Sequence, residues 1–185
     1  MKKVDMRFNN ESLKNLIGHN FNKYRCDKFE FTNSVTQIVG LYIGDEIYRL
    51  TNIQESVDYF GNTDDYAVFK MSSAIDEDIR SAFVDTEQID NPINQEIKSI
   101  ILINERQRIY KENICTYDVY LTRAIIFRFS ENEICFQKDF TPFSEEIFIM
   151  KGYNLADSLM ENTDFLEEWD DDLTPKCETE IVEIN

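Results

Sequence analysis

The sequence predicts an α+β fold, mainly antiparallel β hairpins or a meander that form one sheet or a small barrel, with three to four short helices. Two segments with apolar residues at alternate positions are interrupted by tight-turn signals, which is typical of β hairpins. Shorter segments carry apolar residues three and four positions apart, which is typical of helices. A chain of 185 residues with 42% hydrophobic residues has enough apolar side chains to bury a core.

The first hairpin is predicted over residues 38–50. Gly44 and Asp45 supply the Gly-first pair that a type II′ turn prefers. Pairing across this turn brings apolar residues onto one face of the hairpin, which supports the register. The predicted pairs are Leu41 with Tyr48 and Val39 with Leu50.

The second hairpin is predicted around Glu131 and Asn132. Asn tolerates the positive φ that a tight turn demands. Ile125, Phe127 and Phe129 alternate with other residues before the turn, as a half-buried strand does. The predicted pairs are Phe129 with Ile134 and Phe127 with Phe136.

Four further strands are predicted, one of them with an alternative. We expect strands around Phe29 and Phe31, over 66–71 and over 145–150. Residues 97–103 fit a strand through their β-branched isoleucines, and fit a helix through the spacing of four between isoleucines that follow Pro92. We prefer the strand, because the second hairpin offers an antiparallel neighbour.

Helices are predicted where a capping residue precedes apolar residues at helical spacing. Asn9 begins a short helix that Gly18 ends, and Asn52 begins one that Gly61 ends. Asn154 begins another. The apolar residues at helical spacing in the last two are Ile53, Val57, Phe60, Leu155 and Leu159. In the acidic zone of residues 76–96, Ile75, Ile79 and Phe83 are also helix-spaced, and we expect this zone to form a loose excursion.

We expect a single α+β domain over residues 1–169 and an acidic C-terminal segment over 170–185. This segment either frays or returns as an edge strand through its last apolar residues. Residues 38–71 and 119–151 share an order of elements, which suggests a weak internal duplication. The predicted core includes Leu41, Tyr48, Phe127, Phe129, Ile134, Phe136 and Phe148.

The charge of the chain is concentrated at its C-terminal end. Residues 156–185 hold eleven carboxylates and one base, Lys176, so this end carries −10 of the net charge of −17. The most basic window, residues 98–128, has six bases against three acids. A strongly acidic surface attracts basic proteins and repels nucleic acid and membranes.

No motif for catalysis, a cofactor or a metal is recognisable, so the sequence leans away from an enzyme. His19 is the single histidine, and its position beside Gly18 favours a structural role at a helix end. The five glycines form no phosphate-binding loop. The carboxylate runs 76–78 and 170–172 lack the spacing of a calcium loop.

The cysteines and the apolar segments of the sequence indicate the cellular compartment of the protein. The four cysteines form no C-x-x-C motif, and we expect reduced thiols, with Cys115 and Cys135 packed as small apolar groups. No secretory signal and no membrane span is recognisable. These observations predict a cytoplasmic protein.

The favoured function is a non-enzymatic interaction or inhibitory module of the immunity type, which binds a basic protein through its acidic C-terminal edge. Aromatic residues among carboxylates are typical of an interface with a strong central anchor. No nucleic-acid or membrane partner is expected. The candidate partner-binding residues are Phe165, Glu167, Glu168, Trp169, Asp170, Asp171 and Asp172.

Two other functions fit the sequence. The protein is an accessory or structural domain if its acidity serves only solubility. It is a carboxylate-dependent hydrolase, with or without a metal, if two distant carboxylates meet in the fold, because such a pair leaves no sequence signature.

Overall fold

The fold was analysed in a computed structural model. It describes residues 3–11, 13–29, 33–59, 61–81, 86–160, 164–167 and 169–185. Phe31, Phe60, Phe83 and Glu168 therefore lie outside the described residues, and so do the predictions that concern them.

The described part of the chain is dominated by strands. In chain order they are β1 (Val4–Met6), β2 (Asn20–Asp27), β3 (Ser34–Thr36), β4 (Ile38–Ile43), β5 (Glu46–Tyr59), β6 (Asn62–Ser73), β7 (Gln88–Glu96), β8 (Ser99–Lys111), β9 (Ile114–Arg128), β10 (Glu133–Lys138), β11 (Glu146–Gly152) and β12 (Leu173–Ile184). The α-helices are α1 (Leu155–Met160) and α2 (Asp164–Glu167), and 3-10 turns form at Leu13–Leu16 and Asp76–Asp78.

The strands form two sheets. Sheet A has the order β12-β8-β9-β10-β11-β3, and β1 pairs with β9 beside β10. Sheet B has the order β6-β5-β4-β2-β7. Neighbouring strands run antiparallel in both sheets, except that β1 runs parallel to β9.

The predicted fold class is therefore wrong. Strands make up 64% of the described residues, and they form two sheets in place of one sheet or a small barrel. The described residues contain two short α-helices in place of three to four. No helix in this part of the chain has the length and apolar character needed to cross a membrane.

The helix predicted from Asn52 is part of strand β5. Residues 48–59 of β5 pair with residues 62–73 of β6 along their whole length, so long-range ladder hydrogen bonds replace the local helical ones. The Asn52 side chain is fully buried and donates hydrogen bonds to the carbonyl oxygens of Ser144 (2.8 Å) and Glu146 (3.0 Å). Asn52 thus joins sheet B to the segment before β11 instead of capping a helix.

Two other helix predictions need correction. The residues that follow Asn9 form a 3-10 turn at Leu13–Leu16, and its two leucines are buried. The zone 76–96 contains a 3-10 turn at Asp76–Asp78 and then strand β7, which pairs with β2. It is therefore not a loose excursion. The helix predicted after Asn154 is confirmed as α1.

The first hairpin is confirmed with its register. Leu41 lies opposite Tyr48, and Val39 lies opposite Leu50. Gly44 has a φ of +58°, as the first central position of a type II′ turn requires.

The second hairpin exists, but its predicted register is wrong by two residues. Ile134 lies opposite Phe127, and Phe136 lies opposite Ile125. The connection is longer than a two-residue turn, and the Phe129 amide donates to the Asn132 carbonyl oxygen at 2.9 Å. A shift of two keeps every side chain on its predicted face.

The strand predicted around Phe29 and Phe31 is not observed at Phe29, which follows the end of β2 at Asp27, while Phe31 lies outside the described residues. The other strand predictions hold. Residues 66–71 lie in β6, and 145–150 largely in β11. Residues 99–103 begin β8, so the strand interpretation of 97–103 is confirmed over the helical one. Residues 38–71 and 119–151 are both three-stranded antiparallel meanders, and the duplication stays a prediction.

The main core lies between the two sheets. Phe127 of sheet A meets Phe21 of sheet B edge to face, with ring centroids 5.1 Å apart, and Phe136 meets Tyr24 at 5.7 Å. Five predicted core residues belong to this cluster, namely Leu41, Phe127, Phe129, Ile134 and Phe136. Tyr48 packs against it while partly buried.

The prediction that Phe148 lies in the main core is wrong. Its neighbours Ile147 and Ile149 are buried in the core, and Phe148 is only half-buried on the opposite face of β11. On that outer face of sheet A, Leu155 and Leu159 of α1 cover a second apolar cluster.

Phe127→Ala should lower the free energy of unfolding by about 3–5 kcal/mol, because a fully buried phenyl ring leaves a cavity between the sheets. Urea denaturation followed by circular dichroism measures this change. Tyr153→Ala is the matched control, because Tyr153 is 73% exposed and its loss should change stability by less than about 0.5 kcal/mol. Equal effects of the two substitutions would contradict the placement of Phe127.

Candidate functional site

Strand β12 fixes the position of the acidic C-terminal segment. It pairs with β8 from Leu173 opposite Lys111 to Ile184 opposite Ile100. The edge-strand alternative for residues 170–185 is therefore the observed one, and the frayed alternative is wrong. The reason is that the antiparallel ladder with β8 pairs the backbone groups of β12 that face β8, while the other backbone groups of this edge strand face solvent.

The pairing of β12 also explains the most basic window of the sequence. Three carboxylates of the C-terminal segment form surface ion pairs with bases of β8 and β9, so part of the negative charge of this segment is compensated by the chain itself. The pairs are Lys111 with Asp172 (2.8 Å), Arg128 with Glu183 (3.1 Å), and Arg108 with Glu178. The ion pair with Lys111 holds the pKa of Asp172 below its usual value.

The predicted partner-binding residues take different positions around this segment. Phe165 of α2 is buried at 5% exposure, and Trp169 is 37% exposed. Glu167, Asp170 and Asp171 are exposed. Asp172 is exposed and engaged with Lys111.

Phe165 and Trp169 form one wall of a small cavity, which we call the aromatic pocket. Their ring centroids lie 5.4 Å apart, and those of Tyr117 on β9 lie 6.2 Å from Phe165 and 6.3 Å from Trp169. The Trp169 indole Nε1 donates to the Phe165 carbonyl oxygen at 2.6 Å, which fixes the indole. The cavity has a volume of about 120 Å³ and is lined by Gln107, Tyr117, Phe140, Thr141, Pro142, Phe143, Phe165 and Trp169.

Gln107 of β8 organises the polar side of the aromatic pocket. Its side chain is fully buried, and its Nε2 donates to the Phe140 carbonyl oxygen at 2.9 Å. Its Oε1 accepts a hydrogen bond from the Tyr117 hydroxyl at 3.2 Å. One side chain therefore links a sheet residue to the 139–145 segment and sets the orientation of Tyr117. Burial raises the pKa of the Tyr117 hydroxyl above its ordinary value.

A buried ion pair lies beside Gln107. Arg123 Nε is 3.0 Å from Glu105 Oε2, and this contact meets the distance but not the angle of a hydrogen bond. Arg123 Nη1 donates to the Lys138 carbonyl oxygen at 2.7 Å. Both charged side chains are less than a tenth exposed. Burying either charge without the other would cost folding free energy, and the ion pair offsets this cost.

Lys138 connects the two sheets next to this ion pair. Its ammonium nitrogen donates to the Ala67 carbonyl oxygen of β6 at 2.8 Å, and the residue is 1% exposed. Burial, with a smaller contribution from the charge of Arg123, lowers the pKa of Lys138 to about 7. This residue is therefore partly neutral at physiological pH.

A second cavity of about 370 Å³ lies next to the aromatic pocket, because Phe140 lines both. Its lining is mixed, with Arg123 and Asp139 among apolar side chains. The remaining lining residues are Asn33, Gln137, Phe148 and Met150.

The other candidate groups are engaged in structural contacts. Asp76 accepts hydrogen bonds from Arg25 (3.0 Å) and the Tyr42 hydroxyl (2.7 Å). Among the described residues, no group of three or more His, Cys, Asp or Glu is arranged to hold a metal ion. His19 is exposed and donates its backbone amide to the Leu16 carbonyl oxygen at 3.2 Å, where the 3-10 turn ends.

All four cysteines are free thiols, as expected. Cys135 packs in the apolar cluster under α1, whereas Cys115 is only partly buried. Burial raises the pKa of Cys26 and of Cys177 to about 12, so both are protonated thiols near neutral pH.

Comparison of the chain with protein-family models, curated proteins and solved structures found no match. The described fold and site define the protein as a two-sheet antiparallel β protein in which an aromatic pocket is followed in the chain by exposed Asp170 and Asp171, which we call the acidic turn.

Two residues named as partner-binding candidates from the sequence, Phe165 and Trp169, line the pocket, whereas the residues that complete it were not singled out. Gln107, Tyr117 and Phe140 lie far from α2 in the chain and meet it only through strand pairing. The sequence carries a weak local signal at 140–143, where two phenylalanines flank a proline in a loop.

Lys138→Met should flatten the dependence of stability on pH. Because the pKa of Lys138 is lowered from 10.5 to about 7, the folded state binds fewer protons than the unfolded state between these pH values. The free energy of unfolding therefore rises with pH in this window, by up to about 1.4 kcal/mol per pH unit, and the contribution is lost as pH falls to about 7. Urea denaturation at several pH values from 6.5 to about 8.5 measures the slope.

The comparison is between the wild-type protein and each variant, so the titration of other groups cancels. Lys98→Met is the matched control, because Lys98 is exposed and its removal should leave the slope unchanged. Parallel profiles for the wild-type protein and Lys138→Met would contradict the lowered pKa.

Proposed function

We propose that the protein is a non-enzymatic interaction or inhibitory module that binds a basic protein through its acidic C-terminal edge, in the manner of immunity-type proteins. The observation that carries this proposal is that exposed Asp170 and Asp171 directly follow Trp169, which lines the aromatic pocket. Apolar ring surface and negative charge thus meet at one place on the surface.

The charge supports a basic partner. The chain carries −17, and its long-range field accelerates the encounter with a positively charged protein. Asp172, Glu178 and Glu183 are engaged with bases of this chain, whereas Asp170 and Asp171 are exposed at the turn between α2 and β12. These two carboxylates are therefore the ones that best fit a partner's bases.

The aromatic residues support specificity. Binding energy in protein interfaces is concentrated in a few well-packed positions that are rich in Trp, Tyr and Arg. Trp169 and Tyr117 form such a position, and the hydrogen bonds of their polar atoms hold both rings in place before a partner arrives.

Charge reversal at the acidic turn should weaken binding of a basic probe. Asp170→Lys with Asp171→Lys should reduce the affinity for a nona-arginine peptide by about tenfold or more, because two attractive contacts become repulsive. Fluorescence anisotropy of a labelled peptide at low and at physiological salt measures the affinity.

The matched control is Glu77→Lys with Glu131→Lys, which makes the same change in net charge at exposed positions elsewhere. Only a small loss, below about threefold, is expected from this control, because distant charges are screened. An equal loss in both variants would mean that acidity serves only a general role, as in an accessory domain, and would overturn the proposal. An absence of binding by the wild-type protein would overturn it as well.

A further inference from the structure

We propose that the aromatic pocket receives the guanidinium end of an arginine side chain from the basic partner. This inference rests on the proposed function and names the group that the site recognises. It also changes the role of the aromatic residues, which act as the walls of a receptor and not as a protruding anchor.

The burial of the rings supports a receptor. Phe165 is almost completely buried, and nearly two thirds of Trp169 is covered, so neither ring projects far enough to fill a pocket on another protein. These two rings and Tyr117 pack against one another and, together with residues 140–143, line the cavity of about 120 Å³. This is well below the roughly 300–1,000 Å³ of small-molecule pockets, and it suits the end of one side chain.

The chemistry of the walls supports a cation. The face of an aromatic ring carries partial negative charge, and Trp offers the strongest attraction for a cation. This chain uses the same interaction on its own surface, where Arg7 lies 4.2 Å from the ring centre of Tyr120 and Lys23 lies 4.3 Å from that of Tyr42. Within the described ranges, no cation of the chain itself lies over Phe165 or Trp169.

The neighbouring groups strengthen this preference. Asp170 and Asp171 directly follow Trp169 in the chain and are exposed, so they place negative charge one and two residues from a ring that lines the pocket. The pocket lining contains no lysine or arginine that would repel an incoming cation. A cation that enters is therefore drawn by both the rings and the field of the acidic turn.

The shape and polarity of the pocket favour arginine over lysine. A guanidinium is planar, stacks on aromatic faces and is more weakly hydrated than an ammonium, so it enters a narrow ring-lined space at lower cost. Gln107 supplies a polar group at the wall, and its Oε1 accepts one hydrogen bond from Tyr117.

The single tryptophan of the chain gives a direct test. Because Trp169 lines the pocket, intrinsic tryptophan fluorescence reports on this site alone. N-acetylarginine amide should quench or shift this fluorescence in a saturable manner. N-acetylcitrulline amide, which has nearly the same shape without the charge, should produce no saturable change over the same range. N-acetyltryptophan amide in solution corrects for direct quenching.

Substitutions at the acidic turn and at Trp169 measure the contributions of the carboxylates and of the ring to binding separately. Asp170→Asn with Asp171→Asn should raise the half-saturating concentration of N-acetylarginine amide by about threefold or more, whereas Glu77→Gln with Glu131→Gln should leave it unchanged. Trp169→Ala should weaken nona-arginine binding measured by calorimetry, Trp169→Phe should weaken it less, and Tyr153→Ala, which removes an exposed ring elsewhere, should not weaken it. Circular dichroism verifies that each variant is folded.

The possible outcomes distinguish this inference from the proposed function. Saturable binding of the arginine compound alone supports a guanidinium pocket. Equal binding of both compounds shows that the pocket takes an uncharged planar group, and binding of neither shows that it takes no such side chain, so either result overturns the inference. In both cases the acidic-edge proposal still stands if charge reversal at Asp170 and Asp171 weakens nona-arginine binding by about tenfold or more, and it fails separately if the loss is no larger than in the Glu77 and Glu131 control.

Discussion

Strand β12 lies along β8 at one edge of sheet A, and the position of the acidic segment depends on this pairing. The ladder brings Glu178 and Glu183 beside Arg108 and Arg128, so an acidic strand and a basic hairpin neutralise each other. Surface ion pairs contribute little stability one by one, but here they also favour one strand register over slipped ones. Because β12 is held in this way, α2 and the turn that precedes β12 are held against β9.

The aromatic pocket also depends on buried polar contacts of β8 and β9 with the segment that follows β10. The Gln107 side chain forms hydrogen bonds with the Tyr117 hydroxyl and the Phe140 carbonyl oxygen. The buried Arg123 donates a hydrogen bond to the carbonyl oxygen of Lys138, where β10 ends and the segment that contains Phe140 begins. Burying such groups is costly, and the cost is offset only where each has a partner. The result is a set of rings whose orientation is fixed before any ligand arrives, which lowers the entropy lost on binding.

The sequence predicts turns and the hairpins they form well, but it predicts poorly which segments pair over long distances in the chain. The Gly44 hairpin follows from its turn residues, because only a few residues tolerate the required φ, and its register follows from the short connection. Residues 52–59 carry the local signals of a helix, a capping residue and helical spacing, but they form a strand because pairing with β6 is a long-range contact that these signals do not contain. The sequence does not predict the pocket: it marks Phe165 and Trp169 as partner-binding candidates because they stand among carboxylates, and Gln107 joins them only through the folded sheet.

Hydrogen exchange of the β12 amides, measured residue by residue by NMR, tests the docking of the C-terminal segment most directly. An edge strand offers alternate amides to its one neighbour, so the account predicts slow exchange at every second residue between Leu173 and Ile184. The remaining amides face solvent and should exchange fast. Uniformly fast exchange through this segment, at the rate of an unstructured peptide, would contradict the account, because the aromatic pocket would then lose the strand that holds α2 against β9.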